Sequence, residues 1–444
     1  MKILTSDNKR SELVKKNAFY GIIVKGISII ISLMLVPLTI DYVNSEMYGI
    51  WLTLSTIIHW IGFFDIGFGL GLRNKLGESL AINDLKKGKV LVSSTYFVLS
   101  SIFIPLGFSL YYICPYINWA DFLNVSASLN STLSTCARIV LVSLCFTLIL
   151  KVIQNVLQAY QLNVYASIIE TSGSFVSLIA IYVLTKTTFP SLVYLAYAYG
   201  GAPVLVLIIF TLALFRHRFK EIRPNIKFVD FHEIKSIFNL GGQFFVIQIA
   251  CLVLYQTTNV FISRMCGSED VTIYNVTYKY INVAVMVLNI ITAPLWSAYT
   301  DAYAREDWKW IKNSYNKVKT IYGLVVIGII IMVVVSPFVF RLWLGDSVDT
   351  SLTITMLIAV YMVLYAWSSI QSVLLNGVGK IRLQLYVSVL QTIIFFILAI
   401  VLGERFSLFG ILMAMIIALT LPVAVLSIQV SNILKGNTKG IWNK

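Results

Sequence analysis

Residues 320–340 read TIYGLVVIGIIIMVVVSPFVF, with no charged side chain. As a helix this stretch is ~30 Å long, which matches the hydrocarbon thickness of a bilayer. Working outward, comparable stretches fall near 18–40, 47–71, 90–112, 134–156, 164–184 and 191–215. A second set falls near 238–263, 271–296, 318–340, 352–375, 383–402 and 408–430. The composition agrees: 58% of the 444 residues are hydrophobic and 12% are charged, against ~45–50% and ~25% in soluble domains. A soluble enzyme, a disordered chain and a nucleic-acid-binding domain all fit poorly. Twelve spans leave ~15 residues per loop, too few for a folded extramembrane domain of ~50. The expected fold is an all-α polytopic membrane protein with twelve transmembrane helices.

The formal charge of +14 is mostly a topology signal. Of 34 Lys and Arg, 26 fall on one side when loops alternate, at both termini and after spans 2, 6, 8 and 10. Four fall on the other side (Lys186, Arg264, Arg341, Arg405), and four lie inside spans (Lys25, Arg138, Lys151, Lys279). Cytoplasmic loops carry the excess of Lys and Arg, so both termini are expected in the cytoplasm. Span 1 is too long for a signal h-region and no A-x-A-like site follows it, so it is expected to remain as an anchor.

The halves resemble each other at an offset near 220. Glu78-x5-Asp84-x-Lys86 after span 2 matches Asp301-x5-Asp307-x-Lys309 after span 8. Leu157-Gln158-Ala159-Tyr160 matches Leu375-Asn376-Gly377-Val378 at the exits of spans 4 and 10. Six spans per repeat make the repeats parallel, related by an axis along the membrane normal. The expected organisation is a six-helix bundle over 1–215, a basic cytoplasmic linker over 216–237 and a second six-helix bundle over 238–444.

No motif for catalysis is present. The chain lacks G-x-x-x-x-G-K-[ST] and H-E-x-x-H, and has only His59, His217 and His232. No cofactor or metal is expected. Gly67-Phe68-Gly69-Leu70-Gly71 ends a membrane helix, so close helix packing explains it better than a phosphate loop. Cys114 and Cys136 flank an outward loop and could pair; otherwise the five cysteines are small apolar fillers. The outward loop near 113–133 has Asp121 as its only acid, which disfavours a glycan polymerase or ligase working on that face.

Charges inside spans are costly and should face protein or water. Lys25 and Lys279 suit a cationic cavity for an anionic head group; snorkelling to the interface is the alternative. Lys151 either lines the same cavity or snorkels, and Arg138 is expected to snorkel. Glu170 and Asp65 could carry a coupling proton or pair with Lys25 or Lys151. A structural role is the alternative for both, and the favoured one for Asp65. His59 is read as a hydrogen-bonded interior residue. Amides gather in the spans, among them Gln154, Gln243, Gln248, Gln256, Asn259, Asn282, Asn289, Gln371 and Gln391. They suit sugar hydroxyls in a wet cavity, or else interhelical hydrogen bonds.

Phe64-Asp65-Ile66-Gly67-Phe68-Gly69 with Leu72-Arg73-Asn74-Lys75, Tyr274–Tyr280 leading to Ala293-Pro294-Leu295-Trp296, and Leu375–Lys380 resemble the Wzx-type polysaccharide flippases. These belong to the multidrug/oligosaccharidyl-lipid/polysaccharide (MOP) exporter superfamily. The resemblance implies two six-helix bundles forming a V around a central cavity. It implies translocation of undecaprenyl-pyrophosphate-linked oligosaccharide, of the O-antigen or capsule type, across the bacterial cytoplasmic (inner) membrane. It also implies that Lys25 and Lys279, in spans 1 and 8, contact the pyrophosphate. The expected substrate-binding residues are Lys25, Lys279, Lys151, Asn282 and Gln256, and the expected ion-coupling residues are Glu170 and Asp65. Expected partners are the lipid-linked glycan, membrane lipids, a coupling ion (H+ or Na+) and polysaccharide polymerase machinery; nucleic acid is excluded. The alternative is a cation-coupled multidrug antiporter of the same superfamily, which would want an acid where span 1 has Lys25.

The charge count makes a topology prediction. A reporter active only outside the cytoplasm is expected to be active when inserted at Ser126 and inactive when inserted at Lys227. Activity at both positions would refute the alternation of loops.

Overall fold

The computed structural model describes residues 6–43, 47–48, 50–51, 67–123, 125–344, 351–436 and 440–443. Among the described residues every regular element is helical. Hydrocarbon supplies no hydrogen-bond partners, and a helix satisfies its backbone internally. The principal helices are α1 (Ser6–Val43), α2 (Phe68–Ala81), α3 (Leu85–Ile113), α4 (Asn130–Leu150), α5 (Val152–Ala159) and α6 (Asn163–Thr187). They continue with α7 (Leu192–Arg216), α8 (Phe231–Met265), α9 (Ser268–Ala304), α10 (Trp308–Leu344), α11 (Leu352–Val378) and α12 (Arg382–Lys435).

Among the described residues, 10 helical stretches are long and apolar enough to cross a membrane. The last of them, α12, runs for 54 residues and holds two expected spans, because the backbone breaks at Ser407 (φ 50°, ψ −134°). The expected span 47–71 lies largely outside the described residues, and Asp65 and His59 lie there with it. The other expected spans each coincide with a helix. The protein is thus a multi-pass membrane protein. Cys114, Cys136, Cys145, Cys251 and Cys266 are all free thiols, so Cys114 and Cys136 do not pair.

The chain forms two compact units. The first is Phe19–Gly242; the second is Gln243–Lys444 together with the beginning of α1, up to Ala18. The boundaries therefore differ from a simple cut at a linker. The basic segment over 216–237 is folded onto α3 of the first unit. The Asn225 and Asp230 amides donate to Ser93 Oγ (3.1 Å) and Ser94 Oγ (3.0 Å), and Lys89 sits 4.2 Å over the Phe228 ring. At the other end, Trp310 Nε1 donates to Ser11 Oγ at 3.0 Å, Val14 packs on the core of the second unit, and Asn17 is 8% exposed.

The repeat holds bond for bond. In the first unit Asn83 has φ 58°, its amide donates to Leu80 O, and the Asp84 amide donates to Ser79 O. Asp84 Oδ1 then accepts from the Lys87 amide at 2.9 Å, capping α3. In the second unit Glu306 has φ 58°, its amide donates to Tyr303 O, and the Asp307 amide donates to Ala302 O. Asp307 Oδ1 accepts from the Trp310 amide at 3.1 Å. A second pair of turns also matches. Gln161 (φ 60°) donates to Gln158 O and Leu162 to Leu157 O; Gly379 (φ 72°) donates to Asn376 O and Lys380 to Leu375 O. These are helix-ending turns with one residue in the left-handed region.

Close packing explains the glycine cluster, as expected. A Cβ on Gly71 would lie 2.6 Å from Ile237 O, one on Gly69 would lie 2.5 Å from Asn155 Nδ2, and Gly67 meets Gly241 backbone to backbone. In the second unit, a Cβ on Gly377 would lie 2.6 Å from Tyr299 Cβ and 2.8 Å from Trp296 O. Thr300 Oγ1 donates to Gly377 O at 2.8 Å across the same contact. Gly377→Ala is expected to push α11 off α9 and lower stability by about 1–3 kcal/mol, the usual range for overpacking. Gly323→Ala meets nothing within 4 Å and should leave stability unchanged or slightly raised. Thermal unfolding in detergent checks the pair.

Candidate functional site

The first unit has two apolar clusters rather than one. One includes Phe68, Leu72, Leu91, Ile153, Ile169 and Leu207. The other includes Ile31, Leu35, Trp119, Leu133, Leu141 and Ile181. Where they meet lies a polar cavity of about 500 Å3, lined from both: Leu35 from one, Ile169 and Leu207 from the other. Its chemistry comes from three walls.

The α4–α5 wall carries Ser143, Thr147, Lys151 and Gln154. They recur at intervals of three or four residues, so they share one helix face. Lys151 sits at the junction between α4 and α5. Thr147 Oγ1 donates to Ser143 O at 2.8 Å, and Gln154 Nε2 to Ala166 O at 3.4 Å. The α6 wall carries Glu170, Ser174 and Ser177 at the same kind of spacing. The third wall is α7, where residues Tyr197–Gly201 form a π-helical turn. Such turns free backbone groups and gather at functional sites. Here Ser177 Oγ donates to Ala198 O at 2.9 Å, satisfying one, and Tyr199 OH shares a 3.0 Å hydrogen bond with Thr39 Oγ1 of α1.

Lys151 and Glu170 therefore line one cavity from two different helices. Among the described residues neither side chain forms a salt bridge. A charge of each sign faces the same space, which is roomy enough for water and offers it hydroxyl and amide partners.

The other expected site residues are distributed differently. Lys25 is exposed on α1 in the first unit, and Lys279 is exposed on α9 in the second. Neither lines the cavity. Asn282 is half-buried on α9, one turn from Lys279. Gln256 is on α8, but its side chain lies outside the described ones. Arg138 donates to Thr135 Oγ1 at 3.1 Å and lies over the Tyr111 ring at 5.5 Å, near the start of α4 and the end of α3. Several amides make interhelical bonds. Asn259 Oδ1 accepts from Asn275 Nδ2 (2.9 Å), Ser369 Oγ donates to Asn289 Oδ1 (3.1 Å), and Tyr315 OH donates to Gln371 Oε1 (2.8 Å). These three make the interhelical hydrogen bonds that are one of the two expectations for the amides, and Asn289 stays exposed in doing so. Arg73, counted above among loop charges, is buried at the start of α2, and burial pushes its guanidinium down to about 9.

Sequence reasoning missed Ser143, Thr147, Ser174 and Tyr199. The signal was available for the first three: hydroxyls at helical spacing on the same face as Lys151 or Glu170. Tyr199 had none, since a π turn leaves no mark in hydropathy.

With this geometry in place, similarity to known proteins can be read. The family described as polysaccharide biosynthesis protein matches residues 14–300, more than half of the chain. The chain belongs to this family. It is 20% identical over 400 residues to a Salmonella typhi protein named "Putative O-antigen transporter", covering 88% of this chain and 90% of the relative. A protein of the same name from Salmonella typhimurium is 22% identical over 422 residues, with 93% of each chain covered. Among solved structures, an outward-facing multidrug resistance MATE family transporter of the MOP superfamily matches with TM-score 0.79 at 13% identity, covering 96% of both chains. A MOP superfamily transporter from Pyrococcus furiosus, described as having a binding pocket of reverse polarity, matches with TM-score 0.74 at 13% identity. It covers 96% of this chain and 97% of its own. The fold is accordingly that of the MOP superfamily.

The cavity makes an accessibility prediction. In a Cys-free background, Ser174→Cys is expected to react with a small water-soluble methanethiosulfonate at least ~10-fold faster than Ile153→Cys, whose site is fully buried. Equal rates would mean that the cavity is dry.

Proposed function

We propose that the protein is a flippase for undecaprenyl-pyrophosphate-linked oligosaccharide of the O-antigen or capsule type. It acts in the bacterial cytoplasmic membrane, with both termini cytoplasmic, by alternating access. The observation that carries this reading is Lys151 facing a polar cavity within the membrane-spanning part of the first unit. A pyrophosphate is anionic, and moving it past hydrocarbon requires fixed positive charge along its route. Lys151, Lys25 and Lys279 supply it, with Asn282 beside Lys279 on α9 and Gln256 on α8 for polar contacts. Membership of the polysaccharide biosynthesis family and the names of the relatives support a saccharide cargo. Those names also describe transport rather than catalysis.

Glu170 is the residue proposed to couple transport to an ion gradient of H+ or Na+. It lines the same cavity as Lys151, from a different helix. Asp65 is the second acid proposed for that role. The multidrug antiporter has the same carboxylate and the MATE-like fold in its favour. Against it, an organic cation entering the cavity would meet Lys151, and the exposed charge on α1 is Lys25 rather than an acid.

Two sets of variants test the proposal in a strain lacking its own flippase and expressing this chain. Lys25→Ala with Lys279→Ala, and Lys151→Ala alone, are each expected to reduce surface glycan at least ~10-fold at normal protein level, equivalent to ~1.4 kcal/mol or more. Full display by the Lys25, Lys279 double variant would overturn the pyrophosphate role. Glu170→Gln is expected to abolish the dependence of transport on the pH gradient, or on Na+ if that is the ion. Unchanged dependence on both would remove Glu170 from coupling.

A further inference from the structure

The second unit contains a cavity of its own, and its chemistry differs from that of the first. It measures about 290 Å3 and is bounded by α8, α9, α11 and both halves of α12. Two tyrosine pairs stand in it. Tyr361 and Tyr365 of α11 stack at 6.2 Å with rings 21° apart, and Tyr274 and Tyr278 of α9 lie at 5.6 Å. Ser368, Ser369 and Ser372 continue the α11 face, and Gln384, Ser388, Gln391 and Thr392 line it from α12. No Asp, Glu, Lys, Arg or His is among the described residues that line it.

Gln384 gives the decisive detail. Its side chain is 7% exposed, and among the described residues its Oε1 has no hydrogen-bond partner. A buried acceptor with no donor is costly, so such a group is expected to receive a hydrogen from something that enters the space beside it. Gln391 lies two turns along the same face with its amide half-buried. Hydroxyls and amides supply directional hydrogen bonds. Tyrosine faces supply flat apolar surface for aliphatic C–H groups. The walls carry no fixed positive charge for a pyrophosphate and no carboxylate for an organic cation. A neutral polyol with one apolar face satisfies all of these conditions, and a pyranose ring is such a polyol. The volume is at the lower edge of the ~300–1,000 Å3 typical of small-molecule sites, which suits a single ring rather than a whole repeat unit.

We infer that this cavity is a saccharide subsite that receives one uncharged sugar of the glycan, with Gln384 accepting from a sugar hydroxyl and the Tyr361–Tyr365 pair packing against the ring. The inference rests on the proposed saccharide cargo and adds where the sugar is read. Charge recognition and sugar recognition are then divided between different residues of the protein.

The test is binding by the purified full chain in lipid nanodiscs. The two probes are the lipid-linked oligosaccharide extracted from the producing strain and bare undecaprenyl pyrophosphate. The wild-type protein is expected to bind the glycosylated probe roughly tenfold or more tightly than the bare one. Gln384→Leu is expected to abolish that preference while keeping the affinity for bare undecaprenyl pyrophosphate. Gln391→Leu, at a half-buried position, is expected to act in the same direction and covers the case in which Gln384→Leu fails to fold. A preference retained in both variants would overturn the subsite and leave the flippase reading intact. No binding of either probe by the wild type would overturn both.

Discussion

A backbone amide or carbonyl left without a partner in hydrocarbon costs several kcal/mol, and the rest of this structure depends on that constraint. It forces the chain into helices that run through nearly every described residue. It also makes each departure from regular helix informative, because the groups released there need other partners. The departures are few. The π turn at Tyr197–Gly201 and the α4–α5 junction at Lys151 both border the cavity of the first unit. Ser177 reaches across from α6 to take one of the released carbonyls. The irregular backbone is thus held by polar side chains around a space roomy enough for water, where it can be satisfied.

The two units share turn geometry and differ in cavity chemistry. The turns at Asn83 and Glu306, and those at Gln161 and Gly379, match in backbone hydrogen bonds. Between these conserved frames the linings diverge. One cavity has a lysine and a glutamate among its hydroxyls; the other has tyrosines, serines and amides without a charge. A repeated scaffold whose halves carry different side chains can offer an amphiphilic cargo two kinds of contact. Fold alone does not select the cargo, since the solved proteins of this fold include a multidrug transporter and one with a pocket of reverse polarity.

Much of this was legible in the sequence, and for a local reason. Hydropathy along 20 or so residues sets whether a segment spans, and the placement of Lys and Arg sets its expected direction. The short match between Glu78–Lys86 and Asp301–Lys309 marked a turn whose cap, Asp84 or Asp307, is a one-residue decision. Gly67, Gly69 and Gly71 were readable as contact glycines because nothing else explains three of them at a helix end. For Asn259, Asn289 and Gln371 a cavity and an interhelical bond both stayed open, because an amide looks the same in sequence whether it faces water or a neighbouring helix.

By itself the sequence determined which segments are apolar enough to span, and that the two halves repeat. Each of these follows from interactions within one segment or between a segment and its solvent. Hydropathy places 72–81 in a loop where the structure has α2, and begins α1, α8 and α10 too late. Only the tertiary structure decided that Lys151 and Glu170 face the same space, and that Lys25 and Lys279 do not line it. It alone placed residues 6–18 of α1 with the second unit and folded the basic 216–237 segment onto α3. Those outcomes depend on the rotation of each helix about its axis and on which faces pack. Such choices are made by close contacts between distant residues, such as Gly377 against Tyr299 and Gly71 against Ile237.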